Sequence, residues 1–134
     1  MGFRKVNFDA GLDTAHCIGG LGVVVRDSSG QFLGAQSIHL AGINDPLIAE
    51  ALTASAGLVF ASSLGFKCVQ LEEDSQSLVR MILKQEQVQH KVEVVVEDIR
   101  RLMDGFDACE VLISPNHHTD LPRALYPCYV KAVN

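Results

Sequence analysis

The fold follows from the stretch Lys5-Val6-Asn7-Phe8-Asp9-Ala10-Gly11. Val6 and Phe8 alternate with the polar side chains around them, which is the period of a short β-strand. The strand ends on the carboxylate of Asp9, and a glycine follows two residues later. A carboxylate in this place becomes informative when other acids converge on it, so its meaning depends on the rest of the chain.

Length and composition indicate one domain over residues 1–134, and the order of elements given below makes it an α/β domain. Hydrophobic residues make up 48% of the chain and charged residues 20%, which suits a folded domain with a substantial core. No apolar run approaches the roughly 20 residues that span a bilayer, so no membrane partner is expected. The chain fits either a minimal protein or a domain cut from a longer one.

The formal net charge of −5 argues against passive binding of nucleic acid, which usually depends on a basic surface. It is compatible with an enzyme whose acids hold metal cations, because a bound cation reverses the local sign. The four cysteines form no Cys-x-x-Cys pair, so a zinc site is not expected. We expect reduced, mostly buried thiols and an intracellular location.

Turn chemistry and periodicity divide the chain into nine elements in the order β-β-β-α-β-α-α-β-α. Asp45 is a candidate N-cap for the first helix, which Pro46 opens and Gly65 stops. The first three strands form an antiparallel meander, with a loop expected over residues 11–17. The predicted elements are strands over 5–9, 19–26, 31–40, 66–74 and 109–114, and helices over 46–64, from 75, 92–106 and 120–132.

Two further acids lie where they could join Asp9. Glu50 lies on or beside the buried stripe of the first helix; the alternative is an acid at the edge of the stripe that reaches water. Asp74 ends the fourth strand; the alternative is an N-cap for the helix that follows. Right-handed crossovers make the later strands parallel to the first, so a fourth strand beside the first brings Asp74 to Asp9. Three such acids suit Mg²⁺ or Mn²⁺ and a two-metal hydrolysis of phosphodiesters.

The whole chain resembles the ribonuclease H-like domain common in plant genomes and related to retrotransposon reverse-transcriptase modules. The segments that carry the resemblance are 5–9, 19–27, Gly30, 49–52, 64–65, 73–75, 97–102 and 114–115. The resemblance implies a five-stranded mixed sheet of order 3-2-1-4-5 flanked by helices. It also implies a metal-dependent endonuclease that cuts the RNA strand of RNA–DNA hybrids, with Asp9, Glu50 and Asp74 as catalytic metal ligands.

The same resemblance suggests residues that contact the substrate. Gly20 corresponds to the region that approaches RNA 2′-hydroxyls. Past Ser114-Pro115 the family continues with an Arg, an Asn and then an Asp or His, where this chain has Asn116, Thr119 and Arg123. The fourth acidic position is therefore an arginine, with Asp120 three residues before it. His117 and His118 are candidates for proton transfer or RNA contact, and their alternative is exposed loop histidines.

Arg123 leaves two functions open. The first is an active or weakened ribonuclease H that acts on an RNA–DNA hybrid or RNA. The second is a degenerate domain that binds nucleic acid, a protein partner or a second copy of itself. The protein-binding version predicts an exposed apolar patch of Leu121, Leu125, Tyr126 and Tyr129.

Overall fold

The computed structural model of the protein describes residues 3–13, 18–73, 75–113 and 129–132. Three strands come first, and the first helix follows them. In chain order the elements are β1 Arg4–Asp13, β2 Ile18–Arg26, β3 Phe32–Ala41, α1 Pro46–Ser63, β4 Cys68–Glu73, α2 Gln76–Ile82, a 3₁₀ turn His90–Val92, α3 Glu93–Asp104, β5 Ala108–Ile113 and β6 Tyr129–Ala132.

All six strands belong to one mixed sheet in the order β3-β2-β1-β4-β5-β6. β1 is antiparallel to β2 and parallel to β4, and β5 continues the parallel part. The predicted order 3-2-1-4-5 is confirmed, and β6 extends it at the β5 edge. β4 pairs with β1 in parallel, so the end of β4 lies next to β1. This is the neighbourhood that the predicted grouping of Asp9 and Asp74 depends on.

The predicted helix over 120–132 is wrong at its end, because residues 129–132 form a strand. β6 pairs antiparallel with β5, from Val111 opposite Tyr129 to Ala108 opposite Ala132. A helix through this segment would need a backbone hydrogen bond that Pro127 cannot donate. Aromatic and β-branched residues at 129 and 130 suit the open edge of β5 instead. Residues 120–128, with the rest of the predicted helix, lie outside the described residues.

The first hairpin is longer than its sequence indicates. β1 does not end at Asp9 but continues to Asp13, which pairs with Ile18 of β2. The predicted loop over 11–17 is therefore partly strand. Glycine disfavours strands in isolation, but the backbone ladder of the hairpin overrides that preference. At Asn7 the pairing of β1 with β4 stops, so Asp9 lies where β1 leaves its parallel neighbour.

α1 packs on β1 with small residues, which let helix and sheet approach closely. Of the predicted stripe, Ala51, Ala54, Leu58 and Ala61 are fully buried and Leu47 is partly buried. Among the described helices, α1 alone has the length and mean hydropathy, 1.3, of a membrane span. Packing explains this composition, since its buried residues belong to the core of the domain.

Asp45 is the N-cap of α1, as predicted, and it also forms an ion pair with Lys91 in the 3₁₀ turn that precedes α3. Its Oδ1 accepts hydrogen bonds from the backbone N–H groups of Leu47 (2.8 Å) and Ile48 (3.2 Å). Its Oδ2 lies 2.5 Å from Nζ of Lys91. The hydrogen bond from Lys91 is the main cause that lowers the pKa of Asp45, and the two backbone N–H groups add to it.

We expect Asp45→Ala to lower the free energy of unfolding by about 1–2 kcal/mol at pH 7, because two N–H groups lose their acceptor. Asp45→Asn keeps a capping oxygen and loses only a partly exposed ion pair, so its cost is below about 1 kcal/mol. Because folding lowers the pKa of Asp45, this stabilisation is present above the unfolded pKa and disappears as the pH falls through the folded pKa. Urea denaturation from pH 7 to pH 3 measures both effects; equal losses for Ala and Asn would contradict the capping argument.

The described cysteines are free thiols, as predicted. Cys109 is fully buried in the core, and Cys68 is half-buried. Burial, with a smaller effect of the neighbouring Glu110 carboxylate, raises the pKa of Cys109 to about 12. Cys109 is therefore a neutral core residue at physiological pH. Cys17 and Cys128 lie outside the described residues.

Candidate active site

Glu50 lies in the second turn of α1 and lines an open cleft. Asp45 and Pro46 set the start of the helix, which places Glu50 four residues into it. The side chain is half-buried, as a residue at the edge of the apolar stripe should be. The cleft has a volume of about 600 Å³. Its lining residues are Asp45, Pro46, Leu47, Glu50, Ser75, Ser77, Gln89 and Lys91.

The far wall of this cleft is the junction between β4 and α2. Ser75 is the N-cap of α2, with its Oγ accepting a hydrogen bond from the N–H of Leu78 at 3.3 Å. The alternative interpretation, with Asp74 as the cap, is therefore wrong. Glu73, the last residue of β4, is fully buried, and its Oε1 accepts from the N–H of Ser75 at 3.0 Å. Asp74, between these two anchored residues, lies outside the described residues.

Asp9 is placed by the backbone of β1. It pairs with Gly22 of β2 and stands two residues after Asn7, the last residue of β1 that pairs with β4. The partner of Asn7 in that ladder is Glu72. The ladder therefore ends at the same level as the β4–α2 junction. The side chain of Asp9 is outside the described part of the chain.

Glu72 and Glu73 are not among the site residues predicted from the sequence. Glu72 is 3% exposed and Glu73 is 0% exposed, although they point to opposite faces of the sheet. Alternation predicts burial of one of them at most, so burial of both shows that both faces are covered where β4 ends. The signal in the sequence was the run of three acids that ends at Asp74, which is unusual for a buried strand.

Glu50 is the one member of the predicted triad whose side chain the structure describes. Within the described ranges, no three His, Cys, Asp or Glu side chains are grouped as a metal site. Carboxylate, hydroxyl and amide groups are supplied by the lining residues Asp45, Glu50, Ser75, Ser77 and Gln89. Lys91 lines the cleft too and is ion-paired with Asp45. Oxygen donors of this kind suit a hard cation such as Mg²⁺, and a soft metal would prefer thiolate or imidazole.

Of the predicted substrate contacts, only Gly20 is described. It is an exposed residue of β2 that pairs with Gly11 of β1 and with His39 of β3. The other predicted contacts, Asn116, His117, His118 and Arg123, lie outside the described residues. So do Leu121, Leu125 and Tyr126 of the predicted apolar patch, together with the side chain of Tyr129.

Comparison with protein families gives one match that covers most of the chain. The model of a family described as reverse transcriptase-like matches residues 7–117. These residues include Asp9, Glu50 and Asp74. No protein with curated annotation is similar enough in sequence to match.

Solved structures resemble the fold over most of its length. Ribonuclease H1 from Halobacterium salinarum has a TM-score of 0.78 at 20% identity, covering 85% of this chain and 86% of that one. The N-terminal ribonuclease H domain of a Mycobacterium tuberculosis protein gives 0.68 at 22%, covering 79% and 77%. LC11 ribonuclease H1, isolated from compost by metagenomics and solved with an RNA/DNA hybrid, gives 0.66 at 20%, covering 75% and 76%. At such identities the likeness shows the fold, which is that of ribonuclease H.

Proposed function

The chain belongs to the reverse transcriptase-like family, and from this premise we propose that it is a metal-dependent ribonuclease H-type endonuclease acting on the RNA strand of RNA–DNA hybrids. The observation that carries the proposal is the cleft that Glu50 of α1 shares with Ser75 at the β4–α2 junction. Asp74 immediately precedes Ser75 in the chain. Glu50, one proposed ligand, therefore shares the cleft with Ser75, the residue that follows the proposed ligand Asp74 in the sequence.

The sheet register supports Asp9 as the third ligand. β1 pairs with β4 from Arg4 opposite Val69 to Asn7 opposite Glu72, at a constant offset in residue number. Asp9 and Asp74 differ by that same offset. Extended past Asn7, this register would put Asp9 and Asp74 at one level, and the proposal adds Glu50 of α1 beside them. This is the oxygen-rich donor set that one or two Mg²⁺ or Mn²⁺ ions would use.

The three carboxylates would hold the ions, and each is held by its own element. When bound, such ions supply Lewis-acid stabilisation and an activated water for an in-line displacement at phosphorus. Glu50 is fixed by a helix whose buried face is locked in the core. The hydrogen bond from the N–H of Ser75 to Glu73 joins the two residues that flank Asp74 in the sequence. Preorganised ligands of this kind leave little reorganisation to the chemical step.

Arg123 supports a weakened enzyme. An arginine near two metal ions opposes their binding by Coulomb repulsion of several kcal/mol in a partly buried site, of the order given by an effective dielectric constant of about 20. We expect slow Mg²⁺-dependent cleavage of a labelled RNA–DNA hybrid by the wild type. Arg123→Asp should raise that rate by about tenfold or more, as measured by gel analysis of RNA fragments with Mg²⁺ and then Mn²⁺.

The second candidate function is a degenerate binding module, and the same assay separates it from the first. The observations that favour it are Arg123 itself and β6, which occupies the end of the predicted final helix. No cleavage by either the wild type or Arg123→Asp, with tight binding of the hybrid retained, would establish this function. Activity in Arg123→Asp alone would mean that the scaffold is intact and that the arginine disables it.

A further inference from the structure

A glycine-lined strip crosses β2 next to Asp9. In the register of the sheet, Gly22 lies between Asp9 of β1 and Ser37 of β3. One step along, Gly20 lies between Gly11 and His39. Residues opposite each other and residues two apart share a face, so these two rows belong to one side of the sheet. The strip therefore leads from the proposed metal site towards the edge strand β3.

Among the described residues, neither backbone conformation nor a close contact calls for a glycine at position 20. Its φ is not in the left-handed region, unlike those of Gly30, Gly42 and Gly65. A Cβ built at Gly20 meets no atom within 4 Å among the described residues. Glycine in the interior of a strand weakens the strand, and it often marks a place where another backbone or a ligand approaches closely. Gly20 is thus better explained by an approaching molecule than by internal packing.

The charge of this surface suits a polyanion. The chain carries a net charge of −5, yet β2 and β3 contain no Asp or Glu. Their only ionisable side chains are Arg26 and His39. His39 and Ser37 are both exposed, so their N–H and O–H donors are accessible. The part of the strip on β2 and β3 is therefore free of acids and has exposed donors, whereas β1 carries Asp9 and Asp13.

We propose that His39, assisted by Ser37, is a substrate-positioning residue that donates a hydrogen bond to the phosphate backbone of a nucleic-acid strand crossing Gly20 and Gly22. Strands lie about 4.8 Å apart, so β3 holds the substrate roughly 10 Å from β1. His39 thus acts on the substrate away from the reacting phosphate. The inference rests on the proposed function for the identity of the ligand.

The test measures binding of a fluorescent RNA–DNA hybrid by anisotropy, together with cleavage kinetics. His39→Ala should weaken binding about tenfold, the usual effect of losing a hydrogen bond to a charged group. In cleavage the effect falls on KM rather than on kcat. Gly20→Ala should also weaken binding while the free energy of unfolding stays the same or rises, because no described atom lies within 4 Å of the added methyl. His90→Ala is the matched control, since the side chain of that histidine is 99% exposed and pairs with Glu93 on the protein surface.

The outcomes separate this inference from the proposed function. If the wild type cleaves the hybrid and His39→Ala binds it as tightly as the wild type, the inference alone is overturned. If His90→Ala weakens binding as much as His39→Ala, the effect is not specific to the strip and the inference is overturned as well. If the wild type binds the hybrid without cleaving it and His39→Ala loses binding, the proposed function fails and the inference stands.

Discussion

Glu50→Gln should lower the rate of hybrid cleavage by at least about 100-fold, since even outer-shell changes at metal sites cost 10- to 100-fold. The amide keeps the shape of the side chain but removes the charge that would hold a divalent cation. Because Glu50 is half-buried at the edge of the α1 stripe, the fold should survive the change. Cleavage with Mg²⁺ and titration calorimetry with Mn²⁺ measure the two consequences in parallel.

Asp98→Asn provides the control for Glu50→Gln. Asp98 is an acid of α3 whose Oδ1 lies 2.9 Å from Arg101 on the exposed side of the helix. Its replacement removes the same charge without touching the cleft, so the cleavage rate should stay within about twofold of the wild type. Equal Mn²⁺ affinity in the wild type and Glu50→Gln would remove Glu50 from the ligand set.

Leu71→Ala should lower the free energy of unfolding by about 2–5 kcal/mol, the usual cost of truncating a fully buried leucine. Leu71 is a fully buried residue of β4 and lies between Val6 of β1 and Val111 of β5 in the sheet. Truncation leaves a cavity in the middle of the parallel part of the sheet. A domain of this size has a total stability of about 5–15 kcal/mol, so this loss removes a substantial fraction of it.

Urea denaturation followed by circular dichroism measures this loss, with Leu64→Ala as the matched control. Leu64 is 40% exposed at the end of α1, so the same chemical truncation there should cost less than about 1 kcal/mol. Equal losses for the two variants would show that the core is not centred on β4. A changed denaturant slope would point to a partly unfolded native state instead.

Local chemistry explains which elements could be predicted from the sequence. The start of α1 depends on the Asp45 carboxylate and Pro46, and its stop depends on Gly65, whose φ of +83° suits glycine. β6 could not be found in this way. Its strand exists because β5 offers an open edge, and a pairing across sequence distance leaves no local signal.

The candidate site, like the fold, could be predicted from the sequence only where local patterns define it. Glu50 could be placed beside the stripe of α1 by counting turns, and the cleft confirms that it faces a concave surface. The burial of Glu72 could not be predicted, because alternation along β4 assigns it to the face away from α1. His39 carried no motif either, and only the cross-strand register places it beside Gly20.

The constant offset between β1 and β4 determines where this chain tolerates insertions and deletions. The segment between the two strands can change length at the turn after Arg26 or in the loop before Asp45 without altering which residues pair. One residue added between Val6 and Asp9 would shift the carboxylate out of level with the end of β4 and turn it to the other face. Natural variants of this domain should therefore differ in length at those loops and keep the spacing within β1 unchanged.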